Sequence, residues 1–325
     1  MASRKLAVSA VAVCAMLALA FAHVAVAGNG GFAPVQPHSP NAHRINEAYF
    51  LILGITAGIF VIVESLLVVF IIRYRNRGRA RDAEGPQVHG HTRLELIWTA
   101  IPVLILAAIV TFVLVKLPGI SSVPDASAQG GRLNITVDAH QFYWQFTYPN
   151  GAISIDEMHV PVGRVVYLTV RSEDVAHSWW IPQLGGKIDA IPGRTNHTWF
   201  QADAAGSYRG QCAEFCGLFH EAMSAHVIAT SQQDYESWLA GADARLGRSQ
   251  FNGVCAKCHG PGGEGDYGPN LTENTLLQQP AGIEQIVRNG RGRMPAVGNT
   301  WTQKQMDALT TYLTKNVYKG PASGG

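Results

Sequence analysis

At 325 residues the chain has room for two or three domains, and its formal net charge of +2 gives neither nucleic acid nor an acidic partner an electrostatic reason to bind. Charged residues make up 15% and hydrophobic ones 47%, a balance common to soluble proteins and to membrane proteins with a large soluble part. Position along the chain has to decide between them.

The chain begins MASRKLAVSAVAVCAMLALAFAHVAVAG. Arg4 and Lys5 precede an apolar run that closes in Ala25, Val26, Ala27 and Gly28, the pattern of a secretory signal with an A-x-A cleavage site, so residues 1–27 read as a signal peptide. A first membrane helix is the competing reading, weakened by the many alanines. Cys14 falls inside this segment and carries no inference.

An anchor of two membrane helices is expected over 28–119, with apolar stretches at about 48–72 and 94–117 that each exceed the roughly 20 residues needed to cross a bilayer. Between them Arg73, Arg75, Arg77, Arg79, Arg81 and Arg93 mark the cytoplasmic side, which puts everything after residue 117 outside the cytoplasm. Two helices are too few for a pore, so a partner in the membrane is expected. Glu64, in mid-helix, should face protein rather than lipid; a protonated or snorkelling acid without function is the alternative.

After a Pro, Gly and Ser-rich connector the period changes. RLNITVDAHQFYWQFTYPNG, GRVVYLTVRSED, HTWFQAD and SAHVIATS are short β-branched or aromatic runs separated by turns, which predicts a β sandwich or barrel over 130–232. The stretch GADARLG at 241–247 reads as a polar, flexible linker, so that the parts on either side would fold independently. A small all-α domain follows over 245–320. In its last helix Met306, Leu309, Leu313 and Val317 fall at helical spacing and form core.

Cys255 and Cys258 belong to CAKCH, a C-x-x-C-H pattern in which two thiols attach a c-type haem and the adjacent His259 becomes an axial ligand. A zinc or redox C-x-x-C is the competing reading, disfavoured by the export signal, the histidine and the helical setting. A second axial ligand is needed. Met294, in a loop stiffened by Pro295, is preferred over Met306, whose helical spacing makes it a core residue.

Residues 212–223 read CAEFCGLFHEAM. Cys212 and Cys216 could pair as a disulfide or bind zinc, but Met223 is a thioether that suits copper, and Cys, His and a weak Met after a strand is how blue-copper loops are built. A second thiolate permits two coppers sharing both sulfurs. Each then needs a terminal histidine: His220 supplies one, and His177, in SEDVAHSWWIP and expected at the end of a strand, is preferred for the other over His140, His159, His197 and His226. One electron spread over two coppers changes the geometry little, which favours rapid transfer.

SEDVAHSWWIP, GGKIDAIPGR and YRGQCAEFCGLFHEAM, with ELIWTAIP in the anchor, resemble subunit II of the haem-copper cytochrome c oxidases over residues 45–230. The appended CAKCH part is similar to bacterial variants whose subunit II carries its own cytochrome c. The resemblance implies a cupredoxin-like Greek-key β-barrel with a binuclear copper A centre held by His177, Cys212, Cys216, His220, Met223 and the Glu214 carbonyl. It further implies magnesium at the Glu214 side chain and a role for Glu95 near the mouth of a proton path, an ordinary interfacial acid being the alternative. One departure stands out: where the family writes Trp, Tyr, Trp, this chain has Phe142, Tyr143 and Trp144, which puts the usual aromatic input for electrons in doubt. A haem carried on a flexible linker would make that input less demanding.

The function implied is the electron-input subunit of a terminal oxidase, multi-pass in a bacterial cell membrane, with the copper and haem parts on the periplasmic or extracellular side. Electrons from cytochrome c or a quinol–cytochrome c reductase would pass through haem c and copper A to subunit I, where oxygen is reduced to water with proton translocation; subunit III is a further implied partner. The alternative is the small subunit of a copper A nitric oxide reductase, told apart by its large subunit. A copper carrier would need an open site and no haem, and the quinol-oxidase branch lacks these copper ligands.

Overall fold

Two helices carry the apolar stretches: α1 (Pro40–Tyr74) and α2 (Thr92–Ser121), each long and apolar enough to cross a membrane. The structure, a computed structural model, describes residues 34–75, 87, 89–126 and 130–320. The signal peptide expected at 1–27 and Arg77, Arg79 and Arg81 lie outside these residues. Both helices extend beyond the apolar runs at 48–72 and 94–117, because helix propagation continues into polar flanks that hydropathy does not count. Lys116 Nζ meets Glu47 Oε2 at 2.5 Å, tying the end of α2 to the start of α1.

The chain divides into two units, one holding His43–Ile120 and the other Pro37–Ala42 with everything from Ser121 on. In the second unit ten short strands form two five-stranded sheets among the described residues. They are β1 (Leu133–His140), β2 (Tyr143–Thr147), β3 (Ile153–Ile155), β4 (Glu157–Pro161), β5 (Val166–Ser172), β6 (His177–Trp180), β7 (Ile188–Ala190), β8 (Asn196–Phe200), β9 (Gly206–Cys212) and β10 (Ser224–Thr230). One sheet has the order β3-β2-β1-β5-β8, the other β4-β10-β9-β6-β7. Only β1 with β5 and β4 with β10 run parallel; the remaining pairs are antiparallel. β10 alternates buried and half-buried residues along its whole length, the period-2 pattern of a strand with one face on a core. Trp144, Phe146, Met158, Leu168 and Trp179 fill the space between the sheets.

The helical part follows without a flexible joint. α3 (Gln232–Ala240), capped by the Ser231 hydroxyl accepting from the Asp234 N–H, gives way at Gly241 to α4 (Ala242–Gln250). The expectation of a flexible linker at 241–247 is therefore corrected: these residues are mostly helix, with Leu246 and Gly247 buried. Gly247 is the reason α4 can cross α7 (Gln303–Tyr312) so closely, since a Cβ there would sit 2.1 Å from the Ala308 carbonyl oxygen. A π turn at Phe251–Cys255 leads into α5 (Ala256–His259), and α6 (Pro280–Asn289) precedes α7.

The sheets and the helical part each have a core, and the helical one takes in residues of the sheets. Phe251, Met306, Leu309, Leu313 and Val317 cluster around Tyr143 and Ile155, both contributed by the sheets. Tyr143, 0% exposed, donates its hydroxyl hydrogen to the Val297 carbonyl at 3.0 Å and accepts from Trp301 Nε1 at 2.9 Å. Gly253 lies against Ile155, where a Cβ would stand 2.4 Å from Cγ2.

His140 stacks on Tyr143 at a centroid distance of 4.6 Å, and burial pulls its pKa from 6.5 down to about 4. Because that pKa is depressed, the unfolded chain binds the proton more tightly; the stability is fully present above about pH 6.5 and is lost as pH falls towards 4, by about 3 kcal/mol. His159, also pushed to about 4 by burial, adds to the same fall. The thermal midpoint of the full chain should drop over this range, and His140→Phe, which keeps a ring in the stack, should make the drop shallower. Superimposable profiles for the two proteins would remove His140 from the account.

Candidate metal centres

β6 and β9 are antiparallel neighbours with Trp179 opposite Cys212. His177 at the start of β6 and Cys212 at the end of β9 therefore meet across 35 positions of sequence. Two main-chain bonds close the loop that follows: Cys212 N–H donates to the Met223 carbonyl and Ala213 N–H to the Ser178 carbonyl, each at 2.9 Å. Within it Gly217 takes φ +131°, where a Cβ would also stand 3.0 Å from Gln141 Nε2.

The loop gathers the donors that the sequence singles out. Cys212 Sγ lies 3.8 Å from His177 Nδ1 and 3.2 Å from the Glu214 carbonyl oxygen, while Cys216 Sγ lies 3.4 Å from His220 Nδ1 and 3.8 Å from Met223 Sδ. The ligand atoms of His177, Cys212 and Cys216 all fall within 4.8 Å of one another. Nitrogen and sulfur bound to one metal at roughly 2.0 and 2.3 Å stand about 3.5 Å apart, so the spacing suits shared coordination. The soft character of the set, two thiols, two imidazoles and a thioether, suits copper. Both cysteines are free and buried.

Asp174 orients the buried His177. Its Oδ1 is 2.8 Å from His177 Nε2, which leaves Nδ1 towards the sulfur, and its Oδ2 accepts the Gln141 N–H at 2.5 Å. Burial lowers the His177 pKa but the Asp174 carboxylate outweighs it, so the imidazole ends above its ordinary value. Burial raises the Cys212 thiol, yet the hydrogen bond from His177 brings it below the usual range. Cys216 is pushed up to about 12 by burial and by Cys212 beside it. Of the other histidines weighed from sequence, His140 stacks on Tyr143 at 4.6 Å, His159 on Trp238 at 4.1 Å and His197 on Tyr167 at 5.3 Å, and His226 lies in β10.

The CAKCH residues line a cavity of about 640 Å³, a volume suited to a large flat cofactor. Cys255, Cys258 and His259 stand on its wall together with Met294; Met306 does not line it and is fully buried in the core. His259 Nδ1 bonds the Pro269 carbonyl at 2.8 Å, which fixes the ring and leaves Nε2 for a ligand role. Gly268 packs on that ring, a Cβ there falling 2.7 Å from it. Burial pushes the Cys255 thiol up to about 12.

The remaining candidates sit apart from these clusters. The Glu214 side chain is exposed and joins no ligand group among the described residues. Glu95, in the first turn of α2, accepts the His91 N–H at 3.1 Å, the geometry of a local helix cap. Trp144 is buried edge-on to His177 at 6.1 Å, while Phe142 is half-buried, lining the haem-sized cavity and meeting Phe219 at 5.6 Å. Sequence reasoning missed Asp174, Gln141, Tyr143 and Lys257. All four stood in stretches already quoted, Asp174 three residues before His177, Lys257 inside CAKCH, and Gln141 and Tyr143 beside Phe142, but none of their partners is legible without the pairing of the two parts.

Two sheets carrying a closed Cys/His/Met loop, joined to a helical C-x-x-C-H part and two apolar helices, define a membrane-bound electron-transfer protein. The description "cytochrome c oxidase subunit II, transmembrane domain" matches residues 30–115, "cytochrome c oxidase subunit II, periplasmic domain" residues 152–230, and "cytochrome c oxidase, cbb3-type, subunit III" residues 242–313. Cytochrome c oxidase subunit 2 of Alkalihalophilus pseudofirmus is 32% identical, over 88% of this chain and 91% of that protein. That of Thermostichus vulcanus is 31% identical, over 64% of this chain and 77% of its own length. The periplasmic domain of subunit II of cytochrome oxidase from Bradyrhizobium japonicum is 34% identical, covering 37% of this chain and 96% of the solved one, with a TM-score of 0.34. The chain belongs to the cytochrome c oxidase subunit II family and carries a cytochrome c-type domain. It is thus one subunit of a haem-copper oxidoreductase, a membrane protein with an outward domain.

Two variants test the donor sets. Cys216→Ser should cut bound copper at least tenfold by metal analysis while leaving covalent haem intact; equal copper in both proteins would dissociate the cysteine from the site. Met294→Ala should abolish the thioether-to-iron absorption band, and Met306→Ala should keep it. The reverse result would move the axial ligand to position 306.

Proposed function

We propose that this chain is the electron-input subunit of a cytochrome c oxidase, receiving electrons at a haem c and passing them through a binuclear copper A centre to subunit I. The observation that carries the reading is the nearness of the two donor sets: Gln141 and Phe142 line the CAKCH cavity, and Gln141 Nε2 donates to the carbonyl of Cys216 at 2.6 Å. When bound, the haem and the copper pair supply one-electron redox chemistry at an almost unchanged geometry.

The protein's part is to hold the donors and exclude water. Cys255 and Cys258 would attach the haem and His259 and Met294 would hold its iron, and the bond to Pro269 keeps the His259 ring from turning. His177, His220, Cys212, Cys216, Met223 and the Glu214 carbonyl would hold copper, with Asp174 fixing the His177 ring. The exposed Glu214 side chain would bind magnesium only with ligands from subunit I. Phe142 faces inwards to the cavity, so an external cytochrome c or reductase would deliver electrons to the haem rather than to copper. Phe215 and Leu218, 79% and 72% exposed on the copper loop, offer apolar surface for subunit I. The two apolar helices would cross the cell membrane with both centres outside, and subunit III would complete the complex.

Affinity purification of the full chain from its native membranes tests this. The complex should contain two coppers and one covalent haem per copy of the chain and should consume oxygen with reduced cytochrome c as donor. A complex that reduces nitric oxide and consumes no oxygen would assign the chain to a copper A nitric oxide reductase instead.

A further inference from the structure

The segment between the two donor sets is held from both sides by residues that belong to neither. On the copper side, the Gln141 main chain is bound to Asp174 and its side chain to the Cys216 carbonyl. On the haem side, Lys257 Nζ donates to the Phe142 carbonyl at 2.7 Å and to Asp156 Oδ2 at 2.7 Å. Asp156, at φ 59°, uses its other oxygen to accept the Trp144 N–H at 2.8 Å. One lysine thus reaches out of the C-x-x-C-H turn, between the attachment cysteines, and grips the start of β2.

This contact differs from an ordinary surface ion pair. The Lys257 and Asp156 side chains are only 15% and 13% exposed, and each makes a second hydrogen bond to the main chain of the same short segment. An exposed pair contributes little and tolerates many geometries; a buried, fully bonded one gains little net stability but selects one arrangement. Tyr143 adds a second anchor, from β2 to the Val297 carbonyl three residues beyond Met294. The haem-attachment turn and the loop of the proposed distal ligand are therefore both fastened to residues 142–143.

We propose that Lys257 is a positioning residue that locks the haem part onto the copper part, so that transfer between the centres runs in a single docked geometry across Gln141, Phe142 and the Cys216 main chain. The transfer is a one-electron exchange in which iron is oxidised and the copper pair reduced, with no protein bond formed or broken. Tunnelling falls steeply with separation, so a fixed contact sets one rate, whereas a part that must search for its docked position spreads the rate and makes it sensitive to solvent drag. The proposal rests on the electron-relay reading above.

The purified full complex is compared as wild type, Lys257→Met, Lys257→Arg and Asp156→Asn, the last retaining an acceptor for the Trp144 N–H. After rapid photoreduction of the haem, wild type should pass the electron to copper in one exponential phase that is unaffected by added sucrose. Lys257→Met and Asp156→Asn should slow it at least tenfold and make it multiphasic and viscosity-dependent, and Lys257→Arg should restore most of the rate. Hydrogen exchange at the Trp144 amide, read independently of turnover, should speed up at least tenfold in Lys257→Met. If Lys257→Met fails to retain haem, Asp156→Asn alone decides. Unchanged kinetics and unchanged exchange in the neutral variants overturn the positioning role while leaving the relay standing; no haem-to-copper transfer in wild type overturns the relay itself and this inference with it.

Discussion

The hydrogen bond from the Cys212 N–H to the Met223 carbonyl turns twelve residues of loop into a closed cradle. Without it the two sulfurs, two imidazoles and thioether would have no reason to face one another. The cradle depends in turn on the β6–β9 pairing, which delivers His177 to its rim, and on Gln141, which holds the far side through the Cys216 carbonyl. From Gln141 the chain of contacts continues through Phe142 to Lys257 and through Tyr143 to Trp301. The arrangement of the helical part is thus set by the same few residues that brace the copper loop.

Electrostatics in this region follow from burial. Thiols at Cys216 and Cys255 are pushed up to about 12, so in the metal-free chain they hold their protons. Copper binding at Cys216 would therefore displace a proton from an apolar setting, which couples metal loading to folding. Asp174 works in the other direction: its carboxylate lies below its usual range because His177 and two main-chain N–H groups hold the charged form against the cost of burial. Such a carboxylate behind a ligand histidine fixes the ring and its tautomer.

The union of the sheet and helical parts changes the meaning of the Phe142 substitution. As a surface residue it would be a weakened input for electrons from a soluble donor. Packed against Phe219 and lining the C-x-x-C-H cavity, it stands between that cavity and the Cys212–Met223 loop. Gly217, Gly247 and Gly253 serve this closeness in one way, each standing where a Cβ would collide with a neighbouring segment or strain the backbone.

The sequence by itself determined the parts. Hydropathy located the two helices, since a bilayer demands a long apolar run whatever its context, and period-2 patterning located the strands. Ligand chemistry marked Cys212, Cys216, His220, Met223 and the C-x-x-C-H residues, because the spacing of soft donors in one loop is a local property. His177 was legible only as the best of several histidines, and the pairing of β6 with β9 brings it beside Cys212. What tertiary structure alone decided is the joint. GADARLG reads as a linker because of its polar residues and glycines, yet in the fold it is mostly helix, with Ala242, Leu246 and Gly247 buried and Gly247 against α7. Tyr143 and Lys257 carry no local mark of their roles, since a hydroxyl or an ammonium acquires its partner only when segments more than 100 residues apart are brought together, and no short-range pattern encodes that meeting.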